Sequence, residues 1–155
     1  MPKLTIKFAA LFACATLCVL PGLYSSAQAF EFVSVAEPSI LYDAPSLKAK
    51  KLFVATRYLP LEKIVSLDNW VKVRESSGKL FWIEKRSLSS KRFVMVKVPV
   101  ASVRENPDAA SVVTFQVPQS VALEWLSNTG SGWFKVRHLD GTTGCLLYTS
   151  DAADE

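Results

Sequence analysis

The segment Trp133-Phe134-Lys135-Val136-Arg137, with Gly132 before it and Asp140-Gly141 after it, has an earlier copy in Trp70-Val71-Lys72-Val73-Arg74, which is followed by Gly78. In each copy a Trp opens a run that alternates in character residue by residue. A tight-turn signal closes it, the pattern of a β-strand entering a hairpin. The two Trp residues lie 63 positions apart (133 minus 70), about the span of one small β-barrel. A repeat of that period constrains the chain to two copies of one small all-β unit rather than one larger mixed fold.

Both ends fall outside this repeat. Met1 to Lys7 is a short basic start, Phe8 to Leu20 is apolar, Pro21-Gly22 breaks the run, and Ala27-Gln28-Ala29 supplies small residues for cleavage. That arrangement reads as a secretory signal peptide over residues 1–29, too short and wrongly flanked for a spanning helix. At the other end, Cys145 to Glu155 looks like the translation of a transposase-type sequencing adapter. We therefore expect the natural sequence to break after Gly144 and residues 145–155 to be a non-native tail. The first copy agrees with that reading. It passes from Gly78 into Lys79-Leu80-Phe81-Trp82-Ile83, whereas the second runs from Gly144 into an acidic, Ala-rich stretch.

With the ends set aside, all three cysteines (Cys14, Cys18 and Cys145) leave the central region. Residues 30–144 then offer neither a disulfide nor thiol chemistry, although they are read as exported to an oxidising compartment. Of 18 Lys and Arg, Lys3 and Lys7 go with the leader; of 14 Asp and Glu, Asp151, Asp154 and Glu155 go with the tail. The remaining 16 bases and 11 acids give a net +5, a bias toward anionic surroundings such as wall polymer or lipid head groups.

Residues 30–90 read as the first module. Five strand signals appear, at Phe32-Val33-Ser34-Val35, Leu52 to Thr56, Leu61 to Leu67, Trp70 to Arg74 and Leu80 to Ile83, with Ile40-Leu41-Tyr42 following Pro38 between the first two. Turns at Asp43-Ala44-Pro45-Ser46, Asp68-Asn69 and Ser76-Ser77-Gly78 separate them. Residues 91–144 repeat the order with Phe93 to Val96, Val103-Arg104-Glu105-Asn106-Pro107, Val112 to Phe115, Leu123 to Leu126, a loop over Asn128 to Ser131, and Trp133 to Arg137. Short strands at this spacing without helical period predict small barrels. A unit of about 60 residues buries only ~60% of its unfolded surface, and the spacer Ser89-Ser90-Lys91-Arg92 is very short. The two barrels are therefore expected to touch.

The residues that carry a resemblance are now in hand: Leu59-Pro60-Leu61-Glu62, Asp68-Asn69-Trp70-x-Lys72-x-Arg74, Gly78-x-x-Phe81-Trp82-Ile83 and Val103-Arg104-x-x-Pro107. In this order, and twice over, they resemble the bacterial SH3 domain family in its exported tandem form. The resemblance implies two tandem SH3-like barrels after a signal peptide, the second truncated. It also implies a non-catalytic role, with peptidoglycan or peptide binding through barrel loops. The family's first loop often reads Asn-Val-Arg-x-Gly-Pro. The second module keeps Val103, Arg104 and Pro107 with Asn106 before the proline, and the first has Tyr42 in place of the Arg.

Residue by residue, Trp70 and Trp133 read as half-buried packing rather than sugar platforms, and Trp82 as core. Trp125 stands where the first copy has Lys63, which leaves an exposed ligand contact as open as packing. Tyr42 and Tyr58 flank loops of the first module and suit a shallow recognition surface. Arg104 is expected to brace its loop in preference to gripping a carboxylate. The candidate ligand contacts are thus Tyr42, Pro45, Tyr58, Arg104, Pro107 and Trp125. The basic run Lys85, Arg86, Lys91, Arg92 and Lys97 reads first as a solubilising edge and linker surface.

Catalytic, metal and cofactor sites are not expected. The one His, His138, has Glu75 as its counterpart, and a metal would want several converging ligands. No carboxylate pair suits acid–base work, and no Gly-rich phosphate loop is present. The expectation is an exported periplasmic or envelope protein that binds cell-wall polymer or a peptide or protein ligand. Nucleic acid is not an expected partner, and any membrane contact would be peripheral. The alternative is the targeting region of a wall hydrolase, or of a membrane-anchored envelope protein, whose remainder lies beyond Gly144.

Overall fold

Alternation along the strands places Val33 and Val35, Val71 and Val73, and Phe81 and Ile83 on the inner faces of their strands, and all six are buried. The computed structural model describes residues 30–148. The expected signal peptide and the end of the expected foreign tail lie outside the described residues. The first module contains β1 (Glu31–Val35), β2 (Ser39–Tyr42), β3 (Lys51–Ala55), β4 (Pro60–Ser66), β5 (Trp70–Arg74) and β6 (Leu80–Glu84), then a single 3-10 turn at Lys85–Ser87 and the two-residue β7 (Leu88–Ser89). The second contains β8 (Phe93–Met95), β9 (Val100–Arg104), β10 (Val113–Pro118), β11 (Ala122–Gly130), β12 (Trp133–Arg137) and β13 (Thr143–Leu147).

Each module is one antiparallel sheet. The orders are β3-β2-β6-β5-β4-β1-β7 and β10-β9-β13-β12-β11-β8, the same path walked twice. The first core draws on every strand from β1 to β6, through Val35, Leu41, Ala55, Leu61, Val73 and Ile83 among others. A flat sheet cannot bring strands from both of its edges to one cluster, so the sheet is curled around it. The second core repeats this with Val96, Val103, Val117, Leu123, Val136 and Leu146. Burying a Val, Leu or Ile side chain of this kind stabilises by about 1.5–3 kcal/mol.

The duplication extends to backbone detail. Tyr58 and Ser120 both adopt a left-handed φ of 68°. Their N–H groups donate to Val35 and Val96 respectively, each at 2.8 Å. Glu62 pairs with Arg74 at 3.0 Å and Glu124 with Arg137 at 3.3 Å, across equivalent strands.

Two expectations are revised. Trp82 is not core: its neighbours Phe81 and Ile83 occupy the inner face, so period two turns Trp82 outward, where the Lys72 ammonium lies 5.9 Å from its ring centre. The loop expected at Asn128 to Ser131 is shorter, because β11 runs on to Gly130 by absorbing two irregularities in its register with β12. Strand β13 itself runs from Thr143 past Gly144 to Leu147. Residues 143–147 pair in register with β12 and bury Cys145 and Leu146. Cys-Leu-Leu is apolar enough to occupy a closing strand.

The modules meet at the spacer, as its length predicts. The Tyr58 ring stacks on Phe93 at 4.6 Å. The Ser34 hydroxyl, itself buried, donates to the Lys91 carbonyl at 2.7 Å. The Arg92 guanidinium lies between Phe32 of the first module and Trp125 of the second, 5.4 and 4.2 Å from the ring centres.

Candidate functional site: a groove at Trp70

Trp70 opens β5 directly after the Asp68-Asn69 turn, and its ring is half-buried. One edge packs against Tyr42, with centroids 5.2 Å apart and planes at 89°. The β2–β3 loop comes alongside. Within it the Asp43 carboxylate accepts the Lys50 N–H at 3.0 Å, while Leu47 stays exposed. On the opposite side the Lys85 N–H donates to the Asn69 carbonyl at 2.9 Å, fastening the 3-10 turn to the Asp68-Asn69 turn. Trp70, Leu47, Asp68, Asn69, Glu84 and Arg86 line the resulting open groove, about 640 Å³ in volume, with Lys85 at its rim.

The rim carries both signs of charge. Glu84 and Arg86 form a two-point pair, Nε to Oε2 at 2.9 Å and Nη2 to Oε1 at 3.2 Å. The hydrogen bond from Glu84, and then its charge, hold the Arg86 guanidinium more firmly protonated than usual. An aromatic and aliphatic floor with a mixed-charge rim suits a ligand that has an apolar or sugar face and charged ends.

The expected site residues distribute as follows. Pro45 is exposed on the loop that brings Leu47 to the groove. Tyr42 is buried, only 4% exposed, so it supports Trp70 from behind instead of standing free. Pro107 is exposed at the tip of the matching loop in the second module. Arg104 points back into that loop, donating from Nη1 to the Ser111 carbonyl at 2.6 Å, the bracing role expected of it. Tyr58 and Trp125 both lie at the junction between modules, stacked on Phe93 and under Arg92. Sequence reasoning did not single out Leu47, Asp68, Asn69 or Glu84. An apolar Leu within a basic loop, and a turn directly preceding the repeated Trp, were the available signals.

The basic run divides in two. Lys85 and Arg86 face the groove. Lys91 pairs with Glu124 at 3.5 Å, Arg92 stacks between the rings, and the Lys97 ammonium reaches the Ser76 hydroxyl of the first module at 2.8 Å.

In the second module the equivalent Trp133 is buried. A separate apolar recess of about 290 Å³ lies there between β8, β9 and β13, walled on one side by Leu146, Leu147 and Tyr148. His138 and Asp140 form a pair at 3.0 Å in the β12–β13 hairpin. Among the described residues there is no cluster of His, Cys, Asp and Glu able to hold a metal, and no helix long and apolar enough to cross a membrane.

Comparison with known proteins decides the family. Residues 35–90 match one family model described as a bacterial SH3 domain, and residues 99–144 match another with the same description. The chain belongs to the bacterial SH3 domain family. The second SH3 match ends at Gly144, one residue before the segment whose sequence departs from the repeat. No curated protein sequence matches the chain. Among solved structures, NlpC2 from Trichomonas vaginalis matches at 18% identity and a TM-score of 0.37, over 82% of this chain and 48% of that one. NlpC1 from the same organism matches at 18% identity and a TM-score of 0.37, over 88% of this chain and 49% of that one. The tandem SH3 chain thus spans about half the length of these structures.

Proposed function

We propose that the chain is a non-catalytic binding protein of the bacterial envelope that takes a peptidoglycan-derived ligand in the Trp70 groove. The observation that carries this reading is the half-buried Trp70 ring at the floor of an open groove whose rim holds Asp68, Glu84, Lys85 and Arg86. Peptidoglycan offers sugar faces to stack on an aromatic and, in its peptides, both amines and carboxylates to meet a rim of both signs. The basic balance of residues 30–144 favours the anionic wall as a surrounding. The apolar, small-residue-terminated leader favours export. The one His pairs with Asp140 in the β12–β13 turn, and neither residue lines the groove.

The test is retention on purified sacculi. The full chain should pellet with them, and Lys85→Glu/Arg86→Glu should weaken retention about tenfold, the order expected from reversing two exposed charge contacts. Arg86 is largely exposed, so the double variant should keep its unfolding midpoint. Equal retention of wild type and variant would remove the groove from the site, and no retention of either would remove the wall as ligand.

A further inference from the structure

Strand β3 is the outer strand of the first sheet. It pairs with β2 on one side and with no strand on the other among the described residues. Its sequence places two large apolar residues in succession, Phe53 and Val54, and they are 56% and 69% exposed. Leu47, in the loop leading to it, is 63% exposed. Cations flank this edge: Lys48, Lys50 and Lys51 on the approach and Arg57 on departure, all exposed. None of the four takes part in a salt bridge among the described residues. Arg57 instead donates to the Ala36 carbonyl at 2.9 Å and lies over the Tyr58 ring. Asp43, in the same loop, accepts the Lys50 backbone N–H, and the Lys50 ammonium takes part in no salt bridge among the described residues.

Lysines alone are the usual guard of a sheet edge against unwanted pairing. A guarded edge has no need of a large apolar residue left exposed on each face of the strand, Phe53 on one and Val54 on the other. The equivalent edge of the second module makes the contrast. Strand β10 also leaves Val113 exposed, but it ends at Pro118, which has no N–H to offer, and residues 105–134 contain no Lys or Arg. Only the first module therefore joins an open ladder, apolar side chains and uncompensated positive charge.

We propose that β3 is a docking edge for an extended, acidic segment of a partner protein, which adds to the first sheet as a further strand. Free backbone N–H and C=O groups are matched by another peptide backbone, not by a glycan or a lipid. Phe53 and Val54 give alternate side chains of the incoming strand an apolar seat, and the flanking cations select Asp or Glu beside them. A second copy of this chain is the wrong occupant. Antiparallel self-pairing centred on Phe53 sets Lys50 and Lys51 of each copy beside Arg57 of the other.

The test uses the full chain and three acetylated, amidated hexapeptides: one alternating Glu and Val, one alternating Lys and Val, and one alternating Glu and Pro. The Glu–Val peptide should slow amide hydrogen exchange at alternate residues of β3, and should bind about tenfold more tightly than the Lys–Val peptide, from two to three exposed charge contacts. The Glu–Pro peptide, which lacks the alternate N–H donors, should not slow exchange. Lys50→Glu/Lys51→Glu should reverse the preference between the Glu and Lys peptides, which also shows that the variant is folded. Equal binding of the three peptides, slowing at β10 in place of β3, or concentration-dependent protection of β3 without peptide would overturn the proposal.

Discussion

Removing Arg92 tests whether the two modules are held as a pair. The guanidinium carbon lies 4.2 Å from the Trp125 ring centre and 5.4 Å from that of Phe32, both within the range over which a cation is drawn to a ring face. Arg92 is exposed, so each contact sits at the lower end, about 0.5–1 kcal/mol. Arg92→Ala should then cost about 1–2 kcal/mol. The Arg92 carbonyl, which accepts the Trp125 N–H at 2.8 Å, survives the substitution, and no buried polar group is orphaned. Arg92→Lys keeps the charge and loses the planar stack, so about half of the loss should return. The assay is urea unfolding of the full chain in double-mutant cycles. The decisive cycle pairs Arg92→Ala with Phe32→Ala, because Phe32 belongs to the first module. Its coupling should be about 0.5–1 kcal/mol. A coupling below about 0.3 kcal/mol, the additivity error of independent sites, would refute the strut.

Gly144→Ala should destabilise the second module by about 1–3 kcal/mol. Its added Cβ would lie 2.5 Å from a Val103 methyl and 2.7 Å from the Arg104 carbonyl, and an unchanged midpoint in thermal unfolding would contradict that packing. Leu61→Ala and Leu123→Ala remove equivalent, fully buried side chains and should each cost about 2–5 kcal/mol in chemical denaturation; a loss under 1 kcal/mol at either would break the equivalence of the cores. The Asp140 carboxyl should titrate below the usual carboxylate range, because the Thr142 backbone N–H and then its hydroxyl donate to it, with His138 adding less. Its contribution to stability is therefore present above about pH 4, the ordinary value, and is lost as pH falls through its lower folded midpoint. An NMR titration with a midpoint at or above the ordinary value would contradict the bonds.

Much of the fold was legible because period two is written plainly into the inner residues. Val71 and Val73 or Phe81 and Ile83 alternate with polar or outward neighbours, and each pair is buried. Trp82 was misjudged because size suggested burial where position dictated the outer face. The site was less legible. Lys63 and Trp125 differ between copies, which suggested ligand exposure at Trp125. Position by position, Glu31 pairs with Lys63 at 2.7 Å in the first copy, and Arg92 lies on Trp125 at the same place in the second. The exchange swaps an ion pair for a cation on a ring that faces the other module. A sequence shows that duplicated positions have diverged, but only the relative placement of the modules shows that Tyr58 and Trp125 diverged toward the junction. Tyr42 sits at the end of a strand beside a loop, and nothing local reveals that Trp70 covers it.

The most direct test of the binding account is the Trp70 indole N–H signal, followed while soluble peptidoglycan fragments are titrated into the full chain. The account predicts a saturable shift at Trp70 together with the amides of Lys85 and Arg86, while the Trp125 and Trp133 indoles stay in place. A Trp70 signal that does not move, or shifts confined to Trp125 or to residues 104–108, would contradict it.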